Sequence, residues 1–477
     1  MEAQKLISAY PTDRIKSLAK IHRMDLLELM YSYGILRKRS PIEVTNMPIS
    51  LNPKVISQVD YRELQTNSLA FHRIMELLYD HFEDLLAFYE EYSHGDELVE
   101  ILFNIYRQAK EQGRDPNKPE VLIIRNDFMF DLGSQTFQQV EFNTMSIGLG
   151  QQSSYLQNLI GHIYNSFFKQ QINQVPSSNS EWQIETFVRA FELYGNKNAI
   201  FLEVMLPDEP NIFDSIHNEK ALNRRGIKVW RIRLNQILPE NIHYDHVEKK
   251  LFVFGEEVAV VYMRSLYDPS HFDDHRISFW VKAELSKAVI IPSIKSFIIG
   301  IKLTQHLFSS EKLLDKFNLL DIRKNHFQKH FCETKCIQTD FNNDKDKLLA
   351  HLKQNRNSLL LKSFKEGGLG LLLGGDEMIE YAETASLADL QQLLIAHRID
   401  TPFYESLILV DHECKEVSEC ISEISIFSSF VLRRGESGWK TEWEQVWDYL
   451  LRSKYRSEIK GGISVGASFM DTLIFRE

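Results

Sequence analysis

Cysteine is scarce in this chain. Four residues in 477, Cys332, Cys336, Cys414 and Cys420, are too few to serve as a disulfide scaffold. A surplus of basic charge is also lacking: 55 Lys and Arg against 66 Asp and Glu leave a net charge of −11. That balance excludes a broad nucleic-acid surface, because phosphate binding needs clustered cations. It leaves room for a small basic pocket that takes a phosphorylated or carboxylated ligand. No apolar run is long enough to cross a bilayer, since the best candidate, residues 288–303, is broken by Pro292, Lys295 and Lys302. The opening MEAQKLISAYPTDRIK carries charges where a signal peptide needs an unbroken apolar stretch. The expectation is a cytoplasmic protein without internal repeats or low-complexity linkers.

The length suffices for two or three domains, and the apolar and charged fractions, 43% and 25%, are ordinary for a globular protein. Residues 1 to about 115 carry helical periodicity, as in Leu64, Phe71, Ile74 and Leu78, and predict a helical layer. Short β-like runs follow, VLIIR at 121–125 and QQVEFNT at 138–144, joined by the turn-forming DLGSQ. Residues 151–195 read as helix. From 197 to 300, strands alternate with helices, which predicts an α/β unit with a partly parallel sheet. A further α+β region runs from about 340: strand SLLLKSF, a glycine loop, a helix through SLADLQQLLIA, strands, and a closing helix WEQVWDYLLRSKY.

The glycine loop, inside LLLKSFKEGGLGLLLGGDEM, leaves backbone N–H groups able to approach an anion, with Lys362 and Glu366 at its entrance. It is neither a Walker A loop, lacking Gly-Lys-Ser/Thr, nor the dinucleotide fingerprint, since Gly368, Gly370 and Gly374 read GxGxxxG. Two acidic features stand on β-like elements: VEFNT with Glu141 and Asn143, and CISEIS with Glu423. Residues two apart on a strand share a face, so Glu141 and Asn143 can reach one ion together; the alternative is a polar strand face turned to water. Glu366 adds a third oxygen and Lys362 a phosphate-facing cation. Lys302, in the apolar IIGIKL, either needs an anionic partner or snorkels from a helix. In HFQKHFCETKC, His326, His330, Cys332 and Cys336 come within eleven residues. The x3 cysteine spacing and the interleaved Phe327 and Phe331 read as an amphipathic segment in preference to a metal site.

Together these segments resemble eukaryotic-type glutathione synthetase, an ATP-grasp carboxylate-amine ligase family. The matching stretches are RNDFMF, VEFNTMSIGLG, ELYGNKNA, NIFD, VAVVYMRSLY, LLLKSFKEGG, CISEISIF, LLRSK and GGISVGAS. They fall in the family's order and cover most of the chain after about residue 115. The resemblance implies an α/β (α+β) ATP-grasp fold: a helical N-terminal region with the first ATP-grasp strands (1–196), an inserted α/β substrate-binding domain (197–300), and an ATP-grasp region (301–477) with a mobile glycine-rich lid at about 340–410. It implies that Glu141, Asn143 and Glu366 hold Mg²⁺ against ATP. Lys302, Lys362, Gly367, Gly368, Gly370, Glu423 and Lys454 would form the nucleotide site. Arg125, Ser146, Glu209, Asn211, Arg264 and Tyr267 would bind a γ-glutamyl dipeptide. Arg452, with Ile463 and Ser464, would receive glycine, and Arg452 and Lys362 would serve catalysis of a two-step ligation through an acyl phosphate. A homodimer is implied as well.

The departures cluster. By the resemblance, Gly148 stands in place of a second serine, Ser215 in place of glutamine, Ser265 and Leu266 in place of Asp-Gly, and Lys460 in place of an acidic residue. Leu369, Gly370, Leu371 and Leu373 replace a third glycine, two asparagines and a tyrosine in the loop. Metal and phosphate positions survive better than substrate-contacting ones. That pattern implies an active ligase with altered substrate preference or lowered efficiency, more than a non-catalytic binding protein.

Overall fold

The computed structural model describes residues 7–8, 12–93, 95–178, 181–320, 330–364, 370–458, 463 and 468–476. Glu366, Gly367, Gly368, Ser464 and His326 lie outside them.

The N-terminal region is helical where the periodicity predicted it. Ser57 caps the helix Gln58–Asp80 by accepting from the Asp60 N–H, and Leu64, Phe71, Ile74 and Leu78 on its inner face are fully buried. The region is not purely helical: short strands at Leu36–Lys38, Val44–Asn46, Ile49–Ser50 and Lys54–Ile56 tie it to sheets.

A seven-stranded sheet holds the centre, in the order Tyr404–Val410, Ile49–Ser50, Ser468–Asp471, Gly438–Tyr455, Glu413–Gly435, Glu120–Asp131, Thr136–Asn143. The last two strands form the expected hairpin, its turn held by the Asp131 carboxylate, which accepts from the Ser134 N–H at 2.7 Å. The sequence reading of a closing helix is corrected here: WEQVWDYLLRSKY lies in the strand Gly438–Tyr455, paired along both edges. Its Asp448–Leu451 run is buried without alternation, as befits a strand covered on both faces, and the Trp, Val and Tyr residues that mimic a helical period are good strand formers.

Residues 200–291 form a second sheet. Ile200–Met205, Lys228–Arg233, Glu256–Met263 and Val289–Ile291 are parallel, with the hairpin Ile242–Asp245/Lys250–Val253 antiparallel at one edge. A third, four-stranded antiparallel sheet contains Thr334–Lys335, Leu393–His397, Leu359–Ser363 and Leu372–Gly374. It has a core of its own, built on Ile337, Leu352, Leu361, Met378 and Ile395. The expected helix through SLADLQQLLIA is only Leu387–Gln391, capped by Ser386; LLIAH continues as the strand Leu393–His397, because three buried apolar residues in succession fill a central strand. The strands that flank the glycine loop, Leu359–Ser363 and Leu372–Gly374, pair antiparallel. The apolar segment 288–303 is a strand followed by short helices, and no helix among the described residues is long and apolar enough to cross a membrane.

Candidate active site

The third sheet faces the first through alternation. On Leu359–Ser363, Leu361 points into the small core, so Lys362 projects from the opposite face. There its ammonium lies 3.1 Å from Glu141 and donates to the Val140 carbonyl at 3.2 Å. Lys302, between the helices Ile294–Gly300 and Leu303–Ser309, reaches the same Glu141 oxygen at 3.7 Å. It is therefore paired, not snorkelling. Burial opposes ionisation of Glu141, but Lys302, Lys362, Arg125 and Arg452 together hold its carboxyl well below the usual range. An anion two residues from Asn143, with two lysines converging on it, is a setting in which incoming phosphates would exchange one anion for another.

Beside it stands a residue the sequence reading passed over. Asp127 is fully buried. Arg125 grips it with both Nε and Nη2 at 2.8 Å, Arg452 Nη2 donates at 3.0 Å, and Asn143 Nδ2 at 3.1 Å. The strand register produces this cluster: Asp127 pairs with Glu141, Arg125 with Asn143, and Glu423 with Arg452. The signal was present, since Asp127 follows Arg125 by two residues on one strand and must share its face. Glu423 contacts Arg452 directly, so its described partner is the arginine. Burial first, and then the neighbouring Arg125, lower the pKa of Arg452. Lys454, two residues further along the strand, is pushed down to about 8 by burial and by Arg452.

A third group gathers at the carboxyl ends of the parallel strands, where open α/β sheets place their ligands. Arg264 follows Glu256–Met263 and is buried. Its guanidinium donates to the Ile147 carbonyl at 3.1 Å and lies 3.7 Å from Glu209, 3.9 Å from Glu203 and 4.0 Å from Asp214. Burial works against its charge, yet Tyr262, Glu209, Asp214 and Glu203 outweigh it and raise its pKa. Ser146 donates to the Arg264 carbonyl at 2.8 Å, and the Asn211 N–H donates to Glu209 at 3.2 Å. Tyr267 packs edge-on against His271. Glu203, raised to about 7 by burial, accepts from Ser215 at 2.7 Å. Asp214, unassigned in the sequence reading, caps the helix Gly150–His162 by accepting from the Leu149, Gln151 and Gln152 N–H groups. A Cβ at Gly148 would sit 3.2 Å from Arg264 Nη1 and 3.7 Å from Asn211 Nδ2, which places this departure against the proposed dipeptide residues.

The family model described as eukaryotic glutathione synthase, ATP binding domain, matches residues 19–475. This chain belongs to the eukaryotic glutathione synthase family. Mouse glutathione synthetase is 27% identical over 441 residues, covering 90% of each chain. The human enzyme is likewise 27% identical over 442 residues with 90% coverage of both, and the Xenopus laevis enzyme is 26% identical over 385 residues, 79% of each. In fold the chain is similar to the apo form of a glutathione synthetase-like effector, GSS30, from Globodera pallida: the TM-score is 0.72 at 17% identity, with 98% of this chain and all of that one covered. The fold is thus the mixed α/β ATP-grasp fold, and the family is one of ATP-dependent ligases.

Within that family frame, the structure brings Glu141, Asn143, Arg125, Asp127, Glu423 and Arg452 of the central sheet together with Lys302 and with Lys362 of the third sheet, and gathers Ser146, Glu209, Asn211 and Arg264 around the second sheet's carboxyl edge. Gly370 precedes Leu371, whose N–H donates to the Ser363 hydroxyl at 3.0 Å. Leu371 and Leu373 pack on the small core. Ile463 is buried. The described members of HFQKHFCETKC separate: His330 Nδ1 bonds the Phe137 carbonyl at 2.9 Å, and the Cys332 thiol bonds the His397 carbonyl at 3.2 Å.

Proposed function

We propose that the chain ligates glycine to a γ-glutamyl dipeptide, γ-glutamylcysteine in the first instance, at the expense of ATP. The observation that carries this reading is the cluster around Glu141 and Asp127, where four cationic side chains and three carboxylates share one sheet face. Its donor set fits a hard dication: the Glu141 carboxylate is kept ionised, and with the Asn143 amide N–H held by Asp127 its side-chain oxygen is the atom presented to a cation. Glu141, Asn143 and Glu366 would hold Mg²⁺, which offsets charge on the transferred phosphoryl group. Lys302, Lys362 and Lys454 bind and orient the triphosphate, and Arg125, its fork fixed by Asp127, orients the dipeptide carboxylate that is phosphorylated to an acyl phosphate. Arg452, positioned by Asp127 and Glu423, steadies negative charge on that carbonyl oxygen while the glycine amine displaces phosphate. The segment 340–410 serves as the lid, its glycine loop closing over ATP and excluding water that would hydrolyse the acyl phosphate.

A second reading, a ligase of this family with a different γ-glutamyl peptide or amine, is favoured by one specific observation. Gly148 and Ser215 bracket the Arg264 cluster with little side-chain reach, and the neighbouring Ser265 hydroxyl is buried without a described partner. Phosphate release from ATP with γ-glutamylcysteine and glycine, measured beside a panel of other dipeptides and acceptors, separates the two. Release only with the standard pair supports glutathione synthesis, faster release with another pair supports the second reading, and no release with any pair rejects ligation.

A further inference from the structure

Cys336 belongs to none of the groups above, and its partner is not in its own sequence motif. It stands between the strand Thr334–Lys335 and the helix Ile337–Phe341, fully buried, with its Sγ 3.3 Å from Nε2 of His306. His306 is also fully buried and lies on the helix Leu303–Ser309, which begins one residue after Lys302. Asp340, one turn beyond Cys336 and partly exposed, brings its carboxylate to 3.9 Å from the same His306 nitrogen. The three donor atoms all lie within 4.8 Å of one another.

We infer that His306, Cys336 and Asp340 form a site for one zinc ion, apart from the nucleotide site. The spacing fits. Zn–S and Zn–N bonds of about 2.3 and 2.05 Å at a tetrahedral angle set sulfur and nitrogen roughly 3.6 Å apart, and Zn–N and Zn–O bonds set nitrogen and oxygen roughly 3.4 Å apart. The observed 3.3 and 3.9 Å straddle those values, so the three ligands need to shift only by a few tenths of an ångström, once the Thr339 side chain has turned away. The supports are in place as well. His306 Nδ1 faces the Thr334 carbonyl at 3.2 Å, the bond that fixes a ligating histidine's tautomer and turns the Nε2 lone pair toward the metal. The Cys336 N–H at 2.9 Å and the Thr339 hydroxyl at 2.6 Å hold the Asp340 carboxylate. The Thr339 hydroxyl, 2.9 Å from His306 Nε2 and 3.0 Å from the thiol, stands where the ion would sit, so binding requires its side chain to rotate away. One N, one S and one O donor suit borderline-soft zinc better than magnesium or calcium, and the partly exposed Asp340 side leaves a fourth position for water. Binding deprotonates the thiol, so one proton leaves for each ion bound. The ion would tie the helix following Lys302 to the first strand of the lid sheet.

The test uses the reduced, metal-free, full-length protein without nucleotide. Zinc is titrated against a chromophoric chelator, cobalt(II) is added in parallel to read a thiolate charge-transfer band, and proton release is measured in buffers of different ionisation enthalpy. One equivalent of zinc, about one proton released and a cobalt–thiolate band are expected. Cys336→Ala should lose the band and weaken zinc binding at least about 100-fold, beyond the range typical of supporting residues. Cys332→Ala should change neither, and Asp340→Asn should keep the band while binding about tenfold more weakly. Absence of stoichiometric binding, or full-strength binding by a folded Cys336→Ala, overturns the site. Should that variant not fold, unaltered affinity in Asp340→Asn together with no proton release by the wild type overturns it equally.

Discussion

Asp127→Ala would remove the anion on which two arginines converge. The carboxylate is fully buried and accepts four donors: two from Arg125, one from Arg452 and one from Asn143. Removing one partner of a buried ion pair costs about 3–5 kcal/mol, because the other charge stays behind unpaired. Here the guanidiniums of Arg125 and Arg452 stay behind, their side chains 12% and 20% exposed, but Arg452 is not left unpaired, so the loss belongs at the lower end, about 3 kcal/mol. Arg452 would retain Glu423, whereas Arg125 would lose the grip that fixes its fork. A displacement of about 1 Å in a substrate-orienting group costs roughly 100-fold in rate, so kcat/KM for the dipeptide should fall by at least that factor. Nucleotide affinity, resting on Lys302 and Lys362, should change little. Urea unfolding followed by circular dichroism reads the first quantity, initial rates at varied dipeptide and glycine read the second, and calorimetry with ATP reads the third. A variant less than about 1 kcal/mol destabilised, with unchanged dipeptide kinetics, would refute the account of Asp127 as the anchor of the site.

Glu141→Gln should abolish turnover while nucleotide still binds, since Lys302 and Lys362 lose a competing anion; wild-type rates in the variant would remove Glu141 from the metal set. Lys454 has a pKa near 8, below the ordinary lysine value of 10.5, so its ammonium is present below pH 8 and is lost as pH rises through that value. ATP affinity should therefore weaken above pH 8 in the wild type and stay flatter in Lys454→Ala, whereas identical pH profiles would take Lys454 out of the nucleotide site. Gly148→Ser would bring a hydroxyl against Arg264 and Asn211. One added hydrogen bond, about 0.5–1.5 kcal/mol, should sharpen discrimination between γ-glutamylcysteine and γ-glutamyl-α-aminobutyrate by roughly two- to twelvefold; equal or reduced discrimination in kinetics with the two dipeptides would count against a pocket loosened by this glycine.

Local pattern made much of this legible. Strand alternation puts Glu141 and Asn143 on one face and turns Lys362 away from Leu361, and both relations hold in the fold. What escaped was long-range pairing. The segment around Trp443, Trp447 and Leu450 has a helical apolar period, and only its ladders with Glu413–Gly435 and Ser468–Asp471 make it a strand. Arg452 faces Glu423 for that reason alone. Asp127 lay in a quoted motif, where its spacing from Arg125 places the two on one face, but the donors Arg452 and Asn143 come from two further strands, which no spacing within RNDFMF reveals. Cys336 likewise pairs with His306, thirty residues away in sequence, and not with its neighbours in HFQKHFCETKC.

The two halves of the site also differ in how they tolerate change. On the central sheet, the charged groups are ligands to one another: Asp127 serves two arginines, and Glu141 serves two lysines. Replacing either carboxylate takes a partner from two buried cations at once, and replacing a cation leaves its carboxylate with one partner fewer, so each change disturbs several buried charges. Around Arg264, the hydrogen bonds of the guanidinium and of its own carbonyl run to the Ile147 backbone and to the Ser146 hydroxyl, with Arg264 donating to the Ile147 carbonyl and Ser146 donating to the Arg264 carbonyl. Backbone partners persist whatever side chain occupies position 148 or 265. Substitutions there cost at most a hydrogen bond or two and alter mainly what the pocket recognises. If the departures implied by the resemblance gather at Gly148, Ser215, Ser265 and Leu266 while Glu141, Lys302 and Lys362 stay in place, that asymmetry gives a physical reason for it, and substrate choice is then the property most open to change in this chain.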